Sequence, residues 1–157
     1  MNSFIYKSEY LKRYLVIYHD KSEVERLVIL PKGVYRQNSK KSTKCFYENS
    51  IKEFLDLYFY DGFFIKNFRY KLMGTELQKK VWVTLSKISR DRTLSYSELA
   101  KLSGYPKAVR AVATAVGKNP IPILIPCHLV IRSSGEIGNF TGGVSLKIKL
   151  INLEIKL

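Results

Sequence analysis

Residues 95–119 read SYSELAKLSGYPKAVRAVATAVGKN, and this stretch decides the fold of the second half of the chain. Ser95 and Glu98 have the spacing of a capping box, which begins a short helix, and Gly104 ends that helix. Pro106 suits the first turn of a second helix that follows directly. Two short helices joined by a tight glycine-containing turn predict a helix-turn-helix, although a plain structural hairpin has the same pattern.

The second helix has two distinct faces in the sequence. Its valines recur at helical spacing and are expected to pack inward: Val109, Val112 and Val116. Its alanines leave room for a nucleic-acid groove to approach closely: Ala108, Ala111, Ala113 and Ala115. Another face carries polar side chains at steps of three and four residues: Lys107, Arg110, Thr114 and Lys118.

A further helix precedes this pair. Thr75 and Gln78 have the spacing of a second capping box, so a helix is expected to begin there. Its buried stripe consists of apolar residues at helical spacing: Leu77, Val81, Trp82, Leu85 and Ile88.

The first third of the chain alternates like β-strands. The segments FIYKS (4–8), RYLVIYHDK (13–21) and VERLVILPK (24–32) are rich in Ile, Val and Tyr, and charged turns separate them. Residues 33–44 have no apolar period and predict a loop. Apolar residues at 51–59 then share one helical face, which ends at Asp61-Gly62.

These patterns predict an α+β protein with two domains. Residues 1–70 are expected to form a small N-terminal α/β scaffold domain, with a three-stranded sheet and one helix. Residues 71–157 are expected to form a mostly helical, winged-helix-like domain that contains the helix-turn-helix and the active site.

The charge balance favours a polyanionic partner. The chain has 157 residues, with 27 Lys and Arg against 13 Asp and Glu, and a net charge of +14. Residues 1–70 carry 13 basic and 8 acidic groups (+5), whereas residues 71–157 carry 14 and 5 (+9). Such a field attracts nucleic acid, and solubility alone is the other explanation.

Several other classes of protein do not fit the sequence. No apolar run reaches the length of a membrane span, and the first residues lack the apolar centre of a signal peptide. The only cysteines, Cys45 and Cys127, and the only histidines, His19 and His128, do not have metal-ligand spacing. We therefore expect a soluble, intracellular protein, cytoplasmic or, in a eukaryote, nuclear, without a metal or a cofactor.

A second stretch carries the chemistry: residues 119–143, NPIPILIPCHLVIRSSGEIGNFTGG. Three prolines exclude a regular helix and lead to Cys127 and His128. A thiol is a strong nucleophile only as the thiolate, and His128 is the neighbouring base. Adjacent side chains on an extended chain point to opposite sides, so either the backbone bends here or a water carries the proton. A buried core cysteine beside a structural histidine is the alternative.

This stretch closely resembles the active-site segment of the O6-alkylguanine-DNA alkyltransferases, the methylated-DNA–protein-cysteine methyltransferases. Their Pro-Cys-His-Arg-Val core stands here as residues 126–130, PCHLV. The resemblance covers about residues 75–154, and it includes Asn119-Pro120, Ser133-Ser134-Gly135, Gly138-Asn139 and Gly142-Gly143. Residues 1–70 match the family's variable N-terminal domain only in size and in the order of strands and helix.

The resemblance implies how the chain meets DNA. In the family the helix-turn-helix enters the minor groove, and an arginine of its second helix, here Arg110, fills the space of an extruded nucleotide. The positions expected to lie along the DNA with it are Lys107, Ala108, Ala111 and Thr114.

The resemblance also implies the catalytic groups. The Cys127 thiolate attacks the alkyl carbon after Glu154, His128 and a water have taken its proton. Asn119 holds the turn before the active-site segment, and Tyr96 hydrogen-bonds the guanine ring and helps it to leave protonated. Glu154 follows Ile151 by three residues on a helix, so an inward carboxylate there needs a buried partner, unless the helix end is frayed and solvated.

The resemblance assigns the recognition of the base to backbone groups. The carbonyls of Cys127 and Val130 would accept hydrogen bonds from the guanine amino group, and the amide of Thr141 would meet O6. Phe140, where the family often has Tyr, would border the pocket with its ring. Thr141 replaces a frequent Ser, and Leu129 replaces the usual Arg, which removes a positive charge close to the thiol.

The implied function is DNA repair in a single turnover, because ordinary thiol chemistry does not remove a thioether. The expected partner is double-stranded DNA that carries O6-alkylguanine, with O4-alkylthymine as a second candidate lesion, and the expected state is a monomer. A non-enzymatic lesion sensor of the alkyltransferase-like type is the first alternative, and the presence of Cys127 argues against it unless Leu129 disables the site. A cysteine hydrolase is the second, and it explains neither the basic second half nor Arg110.

Overall fold

The computed structural model describes residues 1–20, 22–34, 46–62 and 68–155. The chain divides into two compact units, Met1–Lys71 and Leu72–Leu157. None of the helices within the described ranges is long and apolar enough to cross a membrane.

The first unit is an antiparallel sheet accompanied by one helix. Its strands are β1 (Asn2–Ser8), β2 (Arg13–His19) and β3 (Val24–Ile29), paired in the order β1-β2-β3. From Leu15 onward every second side chain of β2 is buried, namely Leu15, Ile17 and His19, as the alternating sequence predicts. The three expected strands are therefore present.

Helix α1 (Phe46–Asp61) completes the first unit and buries the apolar face predicted for it. The amide of Gly62 donates to the carbonyl of Tyr58 at 2.8 Å, and Gly62 has a φ of +78°, which ends the helix as expected. Most of the predicted loop at 33–44, and residues 63–67 after α1, lie outside the described residues.

The second unit contains the remaining helices and two short strands. In chain order these are α2 (Glu76–Lys87), β4 (Leu94–Ser95), α3 (Tyr96–Leu102), α4 (Val109–Gly117), a 3-10 turn (Cys127–Leu129), β5 (Val130–Ile131) and α5 (Val144–Glu154). Both predicted capping boxes are present: Thr75 with Gln78 begins α2, and Ser95 with Glu98 begins α3.

The turn before α4 differs from the prediction. Helix α4 begins at Val109, so Pro106 and Lys107 precede the helix and do not form its first turn. The amide of Ala108 donates to the carbonyl of Tyr105 at 2.9 Å and closes a four-residue turn. Proline occupies the second position of that turn, where its fixed φ is favourable. Lys107 is therefore exposed on a turn.

The buried face of α4 is also shifted from the prediction. Its buried residues are Val112, Ala115 and Val116, whereas Val109 is only half-buried. The expectation that Ala115 faces a groove is wrong, because its carbonyl accepts the indole N–H of Trp82 at 2.8 Å and the residue is packed into the unit. The polar face predicted for the helix is exposed at Arg110, Thr114 and Lys118, and so is Ala111.

The short strands bring the two informative stretches of sequence together. Strands β4 and β5 are parallel, with Leu94 opposite Val130 and Ser95 opposite Ile131. Since Tyr96 follows β4 directly and the Cys127 turn precedes β5 directly, this pairing places both at the same site.

Candidate active site

Cys127 lines a cavity of about 570 Å³ on the surface of the second unit. This volume lies in the range of pockets that bind small organic molecules. Helix α3, helix α4, the 3-10 turn and the loop at 132–141 all contribute to its wall. The lining residues are Tyr96, Arg110, Ala113, Thr114, Val116, Gly117, Cys127, Arg132, Gly138, Asn139, Phe140 and Thr141.

Asn119 fixes the segment that leads to the cysteine. Its side-chain oxygen accepts the amide hydrogen of Ile121 at 3.0 Å, and its Nδ2 donates to the carbonyl of Ile125 at 2.8 Å. The 3-10 turn then closes through the amide of Leu129, which donates to the carbonyl of Pro126 at 3.0 Å. The contacts of Asn119 thus join Ile121 to Ile125, before the 3-10 turn, and its role in holding the turn before the active-site segment stays a prediction.

The backbone bends at the Cys-His pair, and the two side chains take different environments. Nε2 of His128 lies 2.7 Å from Oε1 of Glu154, and both side chains are buried. Among the described residues, Nδ1 of His128 has no hydrogen-bond partner. The ring of Phe140 stands edge-on to the imidazole, with centroids 6.4 Å apart. A hydrogen on Nε2 that points to the carboxylate leaves Nδ1 as the basic nitrogen.

Arg90 is a third member of this group. Its Nη1 donates to Oε1 of Glu154 at 2.7 Å, and its Nη2 donates to the carbonyls of Ile123 and Leu124 at 3.0 and 2.8 Å. The Arg90 side chain is 11% exposed and that of Glu154 is 1% exposed. Oε1 of the buried carboxylate therefore faces both the guanidinium of Arg90 and the imidazole of His128, which offset the cost of burying its charge.

Burial determines the protonation of the thiol and the imidazole. Burial raises the pKa of Cys127 to about 11, although a hydrogen bond from Asn119 and the charge of Lys147 partly offset it. Burial also lowers the pKa of His128, against the opposing effect of Glu154. At neutral pH the site therefore holds a thiol beside a neutral base.

Tyr96 and Lys147 both lie close enough to Cys127 for its charge to act on them. Burial, and then the nearby Cys127, raises the pKa of the Tyr96 hydroxyl, so it stays a hydrogen-bond donor. Burial lowers the pKa of Lys147 to about 8, and its Nζ donates to the carbonyls of Val130 and Asn139 at 2.6 and 3.4 Å.

The structure brings most of the predicted site residues together. Six of them line the cavity: Tyr96, Arg110, Thr114, Cys127, Phe140 and Thr141. Three lie beside it without lining it: Asn119, His128 and Glu154. The remaining four do not line it: Lys107, Ala108, Ala111 and Val130. The carbonyl of Val130, expected to meet guanine, accepts a hydrogen bond from Nζ of Lys147 at 2.6 Å.

Sequence reasoning missed Arg90 and Lys147. Lys147 lies between apolar residues on α5 and three residues before Leu150, so its place on the buried stripe is a signal that helical spacing offers. Arg90 stands in the segment SRDRT, where nothing distinguishes it from the exposed Arg92. Leu129 is fully buried, which explains why an apolar side chain is accommodated at that position.

Comparison with known proteins identifies the family of the chain. Residues 76–156 match the model of the 6-O-methylguanine DNA methyltransferase family, DNA-binding domain. The chain belongs to this family. Its similarity to two curated members, both methylated-DNA–protein-cysteine methyltransferases, lies in the same region. It is 49% identical over 83 residues to the protein of Kluyveromyces lactis, across 53% of this chain and 44% of that one. It is 45% identical over 92 residues to the protein of Methanosarcina acetivorans, across 57% and 59%.

The match with these curated family members spans about half of their length. Similarity to a solved structure extends further. The crystal structure of Mycobacterium tuberculosis OGT in complex with DNA superposes with a TM-score of 0.85 at 31% identity, over 99% of this chain and 94% of that chain. The predicted α+β fold, a three-stranded sheet with a helix followed by a helical DNA-binding domain, is thereby confirmed.

Proposed function

We propose that this methyltransferase-family protein repairs O6-alkylguanine in double-stranded DNA by transferring the alkyl group irreversibly to Cys127, once per molecule. One observation carries the proposal. The buried thiol of Cys127 and the exposed Arg110 of the helix-turn-helix line the same cavity. The next residue after the thiol, His128, forms a buried pair with Glu154. We further propose that the protein acts as a monomer, in the cytoplasm or the nucleus, and that O4-alkylthymine is a second lesion.

The first step is the extrusion of the base. A group on guanine O6 inside the stack is out of reach of a protein thiol, so the nucleotide must leave the duplex. Arg110 lies on the exposed face of α4 and at the rim of the cavity, where it can occupy the space that the base vacates. Thr114, one turn further, lines the same wall. The basic surface of this unit supplies the attraction to phosphate.

The second step is the activation of the thiol. With its pKa raised to about 11, Cys127 ionises too little at neutral pH to be an effective nucleophile by itself. We assign the proton to Nδ1 of His128, through one water, since Nε2 already faces Glu154. The carboxylate then stabilises the imidazolium that forms.

The third step is the displacement. The thiolate forms a bond to the alkyl carbon while the bond between that carbon and O6 breaks, and the electron pair passes into the guanine ring. Tyr96 donates a hydrogen bond to the ring and helps it to take up a proton as it leaves. The amide of Thr141 meets O6, and the carbonyls of Cys127 and Val130 accept from the amino group. The thioether that remains on Cys127 ends the reaction.

Counting methyl groups tests this function. A duplex oligonucleotide with a labelled methyl group on O6 of one guanine is incubated with increasing protein. At each protein concentration we expect the loss of label from the DNA to stop when one methyl group has been transferred per protein molecule. More than one per molecule would indicate a hydrolase, and binding without transfer would indicate a lesion sensor. Either result would overturn the proposal.

A further inference from the structure

Arg90 connects two parts of the active site that the proposed mechanism treats separately. One edge of its guanidinium meets the Glu154 carboxylate, and Nη2 meets the carbonyls of Ile123 and Leu124. Ile123 has a φ of +75°, a left-handed conformation that is strained for a β-branched residue. Arg90 therefore holds the carbonyl of a residue with a strained backbone, Ile123, which lies four residues before Cys127.

We propose that Arg90 is the positioning residue of this site: it joins the segment carrying Cys127 to Glu154 and keeps that carboxylate ionised and aimed at Nε2 of His128. This inference rests on the proposed function and deepens it. Arg90 is not among the residues that line the cavity, and its guanidinium donates to Oε1 of Glu154, so its main effect is exerted through that carboxylate, while its charge also lowers the pKa of Cys127. The planar guanidinium suits the task, because it can serve a carboxylate and two carbonyls at fixed angles, which a lysine cannot.

The charges around the imidazole explain how the loss of Arg90 would change the protonation of His128. The groups that act on His128 are Glu154, which raises its pKa, and Arg90 and Lys147, which lower it. With Arg90 present, the buried carboxylate is balanced and His128 stays neutral. Without Arg90, the carboxylate retains less compensation, so the His128–Glu154 pair takes up a proton at higher pH. If that proton binds the imidazole, it occupies Nδ1. If it binds Glu154, the ring hydrogen moves from Nε2 to Nδ1. In both cases Nδ1 can no longer accept the proton of the thiol.

The tautomer of His128 tests the inference without DNA. The chain has two histidines, His19 and His128, so imidazole nitrogen resonances can be assigned with one His128→Gln control. We expect a single Nε2–H tautomer in the wild type. In Arg90→Gln, which keeps a donor for the backbone carbonyls but loses the charge, we expect a mixture of forms and proton uptake at higher pH. Arg92→Met is the matched control, since it removes an exposed arginine two residues away.

Single-turnover methyl transfer provides the second readout. At neutral pH we expect Arg90→Gln to be about 10- to 100-fold slower, the usual effect of losing a group that orients a catalytic side chain. The pH below which the rate falls should also move upward. Arg90→Lys should restore that pH and only part of the rate, and Arg92→Met should change neither. If Arg90 acts through Glu154, the double variant Arg90→Gln/Glu154→Gln should be no slower than Glu154→Gln alone.

The outcomes separate this inference from the function on which it rests. A wild-type protein that transfers no methyl group overturns the proposed function, whereas the tautomer measurement still tests Arg90. A wild-type tautomer and pH profile in Arg90→Gln would overturn the inference, and so would independent, multiplying losses in the double variant. Should Arg90→Gln not fold, Arg90→Lys decides: a wild-type rate in that variant contradicts the need for the planar guanidinium.

Discussion

At the scale of single residues, Cys127 and His128 illustrate how burial divides the work of one dipeptide. Burial disfavours charge on both side chains, so it raises the pKa of the thiol and lowers that of the imidazole. The thiol remains protonated and unreactive, and the imidazole remains available as a base. The nucleophile is therefore formed only when a proton is moved, which suits a reaction that can occur once.

The pH dependence follows from these two shifts. Because the lowered pKa of His128 keeps it neutral, we expect the wild-type transfer rate to be nearly constant from neutral to mildly alkaline pH. It should fall only below the usual titration range of histidine. In His128→Gln the rate should be about 10²- to 10⁴-fold lower at pH 7. It should then rise about tenfold per pH unit toward the Cys127 pKa of about 11.

Single-turnover kinetics between pH 6 and pH 9 check this prediction. Circular dichroism of each protein across the same range controls for unfolding. A His128→Gln profile parallel to that of the wild type would mean that the imidazole is not the base.

At the scale of elements, the start of α3 sets the position of Tyr96. The capping box of Ser95 and Glu98 fixes the first turn of the helix, and the pairing of β4 with β5 fixes where that turn lies relative to Cys127. We expect Ser95→Ala to lower the free energy of unfolding by about 1 kcal/mol, the usual effect of losing a helix cap. Denaturant unfolding measures this loss.

Ser86→Ala is the control for the cap, since its hydroxyl donates to the carbonyl of Val83 in its own helix and caps no helix end. It should change the unfolding free energy by less than about 0.5 kcal/mol. Equal effects of the two substitutions would contradict the role given to the capping box.

Helix α4 carries the prediction about base extrusion. Arg110→Ala should slow methyl transfer from duplex DNA by about tenfold or more, because the extruded state loses the side chain that fills the stack. Transfer from free O6-benzylguanine, which needs no extrusion, should be unchanged. Lys118→Ala removes an equal charge at the end of the same helix and should leave the duplex rate close to that of the wild type. Equal losses of transfer rate in the two variants would mean that Arg110 contributes only its positive charge.

The helices and strands also show how much of the fold local sequence patterns predict. Both capping boxes, the three strands and the end of α1 at Gly62 follow from local patterns, and all are observed. The beginning of α4 does not, because Pro106 suits the second position of a tight turn as well as the first turn of a helix. Arg90 could not be found, since its role depends on Glu154, 64 positions away in the chain.

At the scale of the whole molecule, the net charge of +14 predicts how strongly DNA binding depends on salt. Each phosphate neutralised by Lys or Arg releases a counterion, so added salt weakens binding. If the protein contacts six to ten phosphates, we expect its affinity to fall by about 10³- to 10⁵-fold when the salt concentration rises from 50 to 200 mM. Fluorescence anisotropy with an unmodified duplex measures this dependence. A nearly flat response would contradict electrostatic attraction as the main source of affinity.

The most direct test of the central claim is the intact mass of the protein after incubation with a duplex that carries one O6-methylguanine. We expect the wild type to gain the mass of one methylene group, on the peptide that contains Cys127, and to gain no more with excess DNA. Cys127→Ser should gain nothing while still binding the duplex. A wild-type mass that does not change, or a methyl group found on another residue, would contradict the account.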